Sequence, residues 1–281
     1  MLEAVLSIGG IGLFAALTLG FAAKKFAVAV DPRELEILDV LSGANCGACG
    51  YPGCSAYAKA VACGEASPAL CTPGGQGTID KIAAIMGVAA EQAVPQVAVV
   101  ICQGDNRKAK NKYHYLGMED CQAAQKLAGG PKACPGGCLG LGTCVKACPF
   151  GAIEITADGL AVISRDKCTG CQKCIAVCPR QVIRMTPRDA VVHVLCNSHD
   201  KGAEVRKYCE VGCIACQICK KTAPEAYLIE GLLAEVVYEH HDQAAVAVAK
   251  CPTKCIRDFD QGYPEGSSFT AKPVDANHHA A

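Results

Sequence analysis

The grouping of the cysteines constrains this chain more than any other feature. "NCGACGYPGC" (residues 45–54) holds Cys46, Cys49 and Cys54, and Cys71 completes C-x2-C-x4-C-x16-C. Cys168, Cys171, Cys174 and Cys178-Pro179 form an unbroken C-x2-C-x2-C-x3-C-P run. In all, 281 residues carry 22 Cys and no Trp. Disulfide scaffolds are usually short secreted chains whose cysteines are spread out to close loops. Here the cysteines are bunched and often precede Pro, which suits thiolates converging on a metal in a reducing compartment. Formal net charge is zero, with no basic tract and no aromatic ladder, so nucleic acid is set aside as a partner.

Three bunched ligands and one remote one, Cys46, Cys49, Cys54 and Cys71, are the habit of a [4Fe–4S] cluster. A structural zinc site usually holds two CxxC knuckles apart. Gly47, Gly50 and Gly53 permit the bends that let three sulfurs converge, and leave backbone N–H groups free to face sulfur. Cys63 falls outside the pattern and is expected to be a buried small apolar side chain. Ahead of this region, Ala4 to Ala23 runs twenty residues with no charge and no Pro. As a helix it just crosses a bilayer core of ~30 Å. No basic n-region precedes it, and Lys24 and Lys25 follow, so residues 1–30 read as a transmembrane anchor with the rest of the chain in the cytoplasm. Asp31 then caps a helix with Pro32 at its first position and Leu35, Leu38 and Leu41 at helical spacing. That helix opens an N-terminal cluster domain, residues 31–95.

The remainder repeats itself. "PKACPGGCLGLGTCVKACPFGAIEI" aligns with "RKYCEVGCIACQICKKTAPEAYLI". The alignment pairs Cys134 with Cys209, Cys138 with Cys213 and Cys144 with Cys219; upstream, Cys102 pairs with Cys196, and downstream Cys178 pairs with Cys251. A duplicated ferredoxin-like unit is the economical reading, with units over 96–190 and 191–260 and a flexible tail over 261–281. In a two-cluster ferredoxin the fourth Cys of each run ligates the other cluster. Cys168, Cys171 and Cys174 are therefore expected to share a cluster with Cys148, and Cys178 to join Cys138 and Cys144. Position 141 is Leu where that companion set needs a ligand. Cys134 is the nearest spare thiolate and is expected there, although Cys102 and Cys121 could instead join Cys134 and Cys138 in a further cluster. The second unit keeps one set, Cys213, Cys216, Cys219 and Cys251. Its companion set is lost at Ala223, His241, Ala244 and Ala247; His241 is expected to be a surface side chain. Cys196, Cys209 and Cys255 stay unassigned. "AIEIT" with "LAVIS", and "AYLIE" with "LLAEVVY", read as hairpins. With short helices after the cysteine runs they make an α+β, ferredoxin-like fold, and about four [4Fe–4S] clusters are expected in all.

A membrane helix, the Cys46–Cys71 pattern and ferredoxin runs such as "GCLGLGTCVKACPFGAI", in that order over residues 1 to 260, resemble the B subunits of Rnf complexes. The resemblance implies an electron-entry subunit of a complex in the bacterial cytoplasmic membrane that couples electron transfer between reduced ferredoxin and NAD to Na⁺ or H⁺ movement. It implies soluble ferredoxin, the bilayer and the other Rnf subunits as partners. The sequence has no G-x-G-x-x-G after a strand and no phosphate loop, so no NAD site is expected in this chain. No catalytic residue is expected either, which leaves an electron wire whose ion coupling occurs in partner subunits. A polyferredoxin of another membrane oxidoreductase, or a zinc-binding scaffold, are the rival classes.

Overall fold

A computed structural model describes the backbone of residues 2–26, 31–264 and 266–269, and their side chains apart from 2–8 and 23. Helix α1 (Leu2–Lys25) is continuous. Ile11, Leu13, Phe14, Leu17, Leu19 and Phe21 are all exposed, on every side of it, so among the described residues α1 joins no core. Among the described residues no helix is long and apolar enough to cross a membrane; positions 4–8 and 23 of the expected span lie outside the described side chains.

Helix α2 (Pro32–Val40) starts where the sequence places it. The Asp31 carboxylate accepts the Arg33 backbone N–H at 2.9 Å, and Pro32 occupies the first turn. The expected Leu stripe is rotated. Leu35 is 57% exposed, whereas Ile37 is fully buried together with Leu41. Residues four apart share a helix face, so Ile37 and Leu41 form the inner edge and Leu38 only flanks it. That edge packs on α3 (Cys54–Ala62) and α4 (Gly75–Met86) through Tyr57, Val61 and Ile82.

The two ferredoxin-like units share one plan. In the first, hairpin β2 (Ile153–Ile155)–β3 (Ala161–Ile163) accompanies an antiparallel ladder of β1 (Gln96–Val100) with β4 (Ile183–Pro187). In the second, hairpin β6 (Tyr227–Glu230)–β7 (Leu233–Val236) accompanies a ladder of β5 (Val192–Val194) with β8 (Ile256–Asp258). Both hairpins are the ones the sequence predicts. Short helices fill the connections: α5 (Cys121–Lys126), α6 (Thr143–Ala147), α7 (Lys173–Val177), α8 (Gly202–Tyr208) and α9 (Ile218–Thr222).

Val97, Val99, Ile153, Leu160, Ile163 and Ile183 make the first unit's core, and Phe259 joins it from the end of the second unit. Tyr263 packs against the same cluster. The Glu154 carboxylate accepts the Ser267 hydroxyl at 2.7 Å and the Ser268 N–H at 2.6 Å. The described end of the chain is thus docked on β2 rather than loose from residue 261, and 270–281 lie outside the described residues. In the second unit Tyr227, Leu233 and Ile256 pack with Ala223, Ala244 and Ala247. The Tyr227 hydroxyl donates to the Ala244 carbonyl at 2.8 Å. Side chains therefore fill the volume where the companion cysteines are missing.

Candidate metal centres

Among the described residues, five cavities are lined by cysteines. The first gathers Cys46, Cys49, Cys54 and Cys71 beneath Tyr57 and Pro73. Its loop is held by the Asn45 side-chain carbonyl, which accepts the Cys54 N–H at 2.9 Å. Gly53 stands at φ +140°, and a Cβ there would lie 3.0 Å from that same oxygen, so only glycine lets the third sulfur come round. Burial pushes the Cys71 thiol up.

The second cavity gathers Cys148, Cys168, Cys171 and Cys174, from the end of α6, the loop before α7 and α7 itself. The Ala98 N–H reaches Cys168 Sγ at 3.3 Å, and the Ala152 N–H reaches Cys148 Sγ at 3.4 Å. Burial pushes the Cys174 thiol to about 12.

The third gathers Cys138, Cys144 and Cys178 with Cys121, not with Cys134. The expectation for Cys134 named this set. Cys134 is near Cys138 in sequence, but Gly136-Gly137 turn the chain between them and leave Cys134 lining a different cavity. Cys121 arrives instead on the first turn of α5. Its backbone N–H donates to Thr143 Oγ1 at 2.6 Å, which ties α5 to the start of α6 beside Cys144. Burial pushes Cys138 and Cys144 to about 12.

The fourth gathers Cys213, Cys216, Cys219 and Cys251 with a further thiol, Cys255. Cys255 is buried and hydrogen-bonded to both Cys213 and Cys251, which draws Cys213 down to about 6 and Cys251 to about 5 while Cys255 itself holds its proton. The fifth gathers Cys102, Cys134, Cys196 and Cys209, a set that spacing along the sequence does not assemble. Cys63, expected to be buried, is exposed where α3 ends. His241 lines none of the five; its Nδ1 lies 2.7 Å from the Tyr238 carbonyl and its Nε2 3.7 Å from Asp189.

The donor sets suit iron–sulfur clusters better than single ions. No three Cys, His, Asp or Glu side chains among the described residues converge on a point one ion could occupy. Zinc would draw four sulfurs to about 2.3 Å of one centre. Here they line cavities of about 290 to 380 Å³, mouths included. Metal-free, the most buried thiols keep their protons at neutral pH, so cluster binding displaces protons and supplies stability that the small cores lack.

The cavities also follow one another. A Cβ on Gly170, beside Cys171, would lie 2.9 Å from Thr72 Cγ2, beside Cys71, so the first and second sites adjoin. The second and third share α6 and α7, with Cys144 and Cys148 on or at the end of one and Cys174 and Cys178 on or at the end of the other. The Cys138 N–H, in the third, reaches Cys102 Sγ of the fifth at 3.4 Å. The Cys213 N–H, in the fourth, hydrogen-bonds Cys196 of the fifth.

Known protein families divide the chain in the same places. Residues 41–73 match an Fe-S cluster family, 133–185 a 4Fe-4S dicluster domain, and 210–258 the 4Fe-4S single cluster domain of Ferredoxin I. Cys102, Cys121, Cys196 and Cys209 lie outside all three ranges. The fold and its sites define an iron–sulfur protein of the ferredoxin type that carries several [4Fe–4S] clusters.

Among whole proteins, the chain is 44% identical to the B subunit of the proton-translocating ferredoxin:NAD⁺ oxidoreductase complex of Clostridium ljungdahlii, over 90% of either chain. It is 42% identical to the B subunit of the Na⁺-translocating ferredoxin:NAD⁺ oxidoreductase complex of Acetobacterium woodii, over 91% of this chain and 78% of that one. It is 38% identical to the B subunit of the ion-translocating oxidoreductase complex of Methanosarcina acetivorans, over 91% of this chain and 97% of that one. The chain belongs to this family, the B subunits of Rnf-type oxidoreductase complexes, and its role there is electron transfer.

Proposed function

We propose that this chain is a membrane-anchored electron wire that accepts electrons from reduced soluble ferredoxin at its ferredoxin-like part. It passes them toward partner subunits that reduce NAD and move Na⁺ or H⁺. The observation that carries the reading is the succession of adjoining cysteine-lined cavities. In this reading the ligand sets are Cys46, Cys49, Cys54 and Cys71; Cys148, Cys168, Cys171 and Cys174; Cys121, Cys138, Cys144 and Cys178; and Cys213, Cys216, Cys219 and Cys251. Each cluster supplies one thing when bound, the uptake and return of a single electron. The chain's own groups hold that electron in place energetically. Backbone N–H groups aimed at sulfur, such as those of Ala98 and Ala152, stabilise the more negative reduced state.

Helix α1 is read as a single-pass anchor. Its exposed apolar side chains need a cover, and its described hydroxyl is satisfied within the helix, Thr18 Oγ1 donating to the Phe14 carbonyl at 2.9 Å. Lys24 and Lys25 in the last turn support a cytoplasmic position for the soluble part. Only α2 separates this anchor from the Cys46–Cys71 domain, so that domain lies toward the membrane subunits and the ferredoxin-like units face solution. NAD is left to another subunit.

The test is the full chain purified without air. At least about sixteen iron and sixteen sulfide per chain are expected, and reduced ferredoxin should bleach their visible absorbance. Zinc in place of iron in such protein would sink the electron-transfer reading. Iron that reduced ferredoxin leaves untouched would remove the proposed donor.

A further inference from the structure

We propose that Cys102, Cys134, Cys196 and Cys209 hold a fifth [4Fe–4S] cluster at the junction of the two ferredoxin-like units. The inference rests on the wire reading and extends it to a site that no matched family covers whole: Cys102, Cys196 and Cys209 lie outside all three ranges and Cys134 at the edge of one.

The four sulfurs reach the junction by a symmetric route. Each unit contributes one Cys two residues past its first strand, Cys102 after Val100 of β1 and Cys196 after Val194 of β5. Each contributes a second Cys four residues ahead of a ligand of its neighbouring set, Cys134 before Cys138 and Cys209 before Cys213. These are the duplicate pairs of the internal alignment. The two halves thus turn equivalent thiols onto one shared cavity.

The cavity is built as the other four are. Cys102 Sγ accepts the Cys138 N–H at 3.4 Å, and the backbone N–H groups of Gly136, of Ser198 and Cys213, and of Val211 and Gly212 favour the thiolates of Cys134, Cys196 and Cys209 against the burial that opposes them. A Cβ on Gly104 would lie 3.5 Å from Cys209 Sγ and 3.8 Å from Cys102 Sγ, so that backbone runs directly against the sulfurs. The space, about 380 Å³ with its mouth, is no smaller than that of the other sites. The walls are fixed by cross-links between distant loops, Lys110 N–H to the Tyr208 carbonyl at 2.8 Å and Ala133 N–H to the Lys110 carbonyl at 2.9 Å.

Charge points the same way. Lys132 lines the cavity and is 1% exposed. Its ammonium donates to the Gly104 carbonyl at 3.0 Å, and none of the ion pairs among the described residues includes it. The nearby buried carboxylate of Asp105 is engaged by Lys108 at 3.3 Å. A buried cation needs a compensating anion, and a cluster held by four thiolates carries net negative charge.

The junction site also closes a gap. It touches the third set through the Cys138 N–H and the fourth through the Cys213 N–H. With a cluster there, an electron leaving one neighbour, which is oxidised by one electron, reduces the junction cluster and then passes to the other. No further oxidant or reductant is needed.

The test counts metal on the full chain under anaerobic conditions. About twenty iron and twenty sulfide are expected instead of about sixteen. The double variant Cys196→Ser/Cys209→Ser should lose about four of each and keep the rest, which also shows that it folds. Cys63→Ser should lose none. Lys132→Met should keep its iron and move one cluster's midpoint potential to a more negative value in an EPR-monitored titration. A wild-type count near sixteen that the double variant leaves unchanged would overturn the fifth site and spare the wire. One zinc per chain, lost in the double variant, would overturn it too. Absence of iron altogether would instead sink the wire itself. Should the double variant fail to fold, the wild-type count and the Lys132→Met potential decide.

Discussion

Replacing Thr143 by Val tests whether Cys121, rather than Cys134, completes the third set. Val keeps the shape of the side chain and removes its hydroxyl. Two contacts go with it: the Cys121 N–H to Thr143 Oγ1 at 2.6 Å, and Thr143 Oγ1 to the Asp120 carboxylate at 3.1 Å. Asp120 also caps α5 by accepting the Ala123 N–H at 2.8 Å, so its orientation loosens as well. The first contact sets the magnitude. A partly buried N–H left without its acceptor costs about 1 to 3 kcal/mol, which is roughly a five- to hundredfold shift in an equilibrium. The holoprotein is challenged anaerobically with an iron chelator, and iron release is followed over time. About four of the bound irons should leave faster by that factor, while the others keep the wild-type rate. Cys121→Ser should lack about those four from the outset. Wild-type release from Thr143→Val, together with full iron in Cys121→Ser, would refute the assignment of Cys121.

Two further predictions follow from burial. Cys71→Ser should remove the N-terminal cluster and spare the ferredoxin-like EPR signals, because the core of Ile37, Tyr57, Val61 and Ile82 is separate from the other two; loss of all signals in a folded protein would contradict that division. His193 is fully buried, between Tyr238 and Phe259, and burial, aided by Arg165, pulls its imidazole down to about 3 from 6.5. The unfolded chain binds this proton near 6.5 and the folded chain does not until about 3. Unfolding therefore takes up a proton, and stability is lost as pH falls below 6.5, by about 1.4 kcal/mol between pH 7.5 and 5.5. Thermal unfolding of holoprotein across that range should show a flatter pH slope in His193→Phe, and equal slopes would contradict the assignment.

How much of this is legible in the sequence depends on how far apart the interacting residues lie. Asp31-Pro32 announces α2 because a cap is a contact between neighbours. Gly231 in the turn between β6 and β7, at φ +58°, likewise makes that hairpin a local event. The interleaving of Cys148 with Cys168, Cys171 and Cys174 is readable because the run fixes its own spacing. The ladders of β1 with β4 and of β5 with β8 carry no local mark, since each joins the two ends of a unit. The junction cavity depends on where those ladders stop, which is why Cys102 and Cys196 can be paired by alignment yet not placed together. The same blindness applies to Cys134. Sequence proximity to Cys138 favours it, while the contact that counts, Cys121 N–H to Thr143, spans 22 residues.

The decay of the second unit makes physical sense in this arrangement. A lost companion cluster would leave a void in a small core, and small cores tolerate voids poorly. Ala223, Ala244 and Ala247 are buried at those positions, and the ring of Tyr227 lies among them, its hydroxyl satisfied by the Ala244 carbonyl. Packing has replaced inorganic filler there without an orphaned polar group. The same substitution at the junction would meet an obstacle. Lys132 would remain buried, and a hydrocarbon filling would leave its ammonium with the Gly104 carbonyl and, nearby, an Asp105 carboxylate already engaged by Lys108. The unit can therefore end in an apolar core at its far side, where no other cysteine set needs to be reached. At the junction, where Cys138 and Cys213 flank the cavity, both charge and continuity call for a cluster.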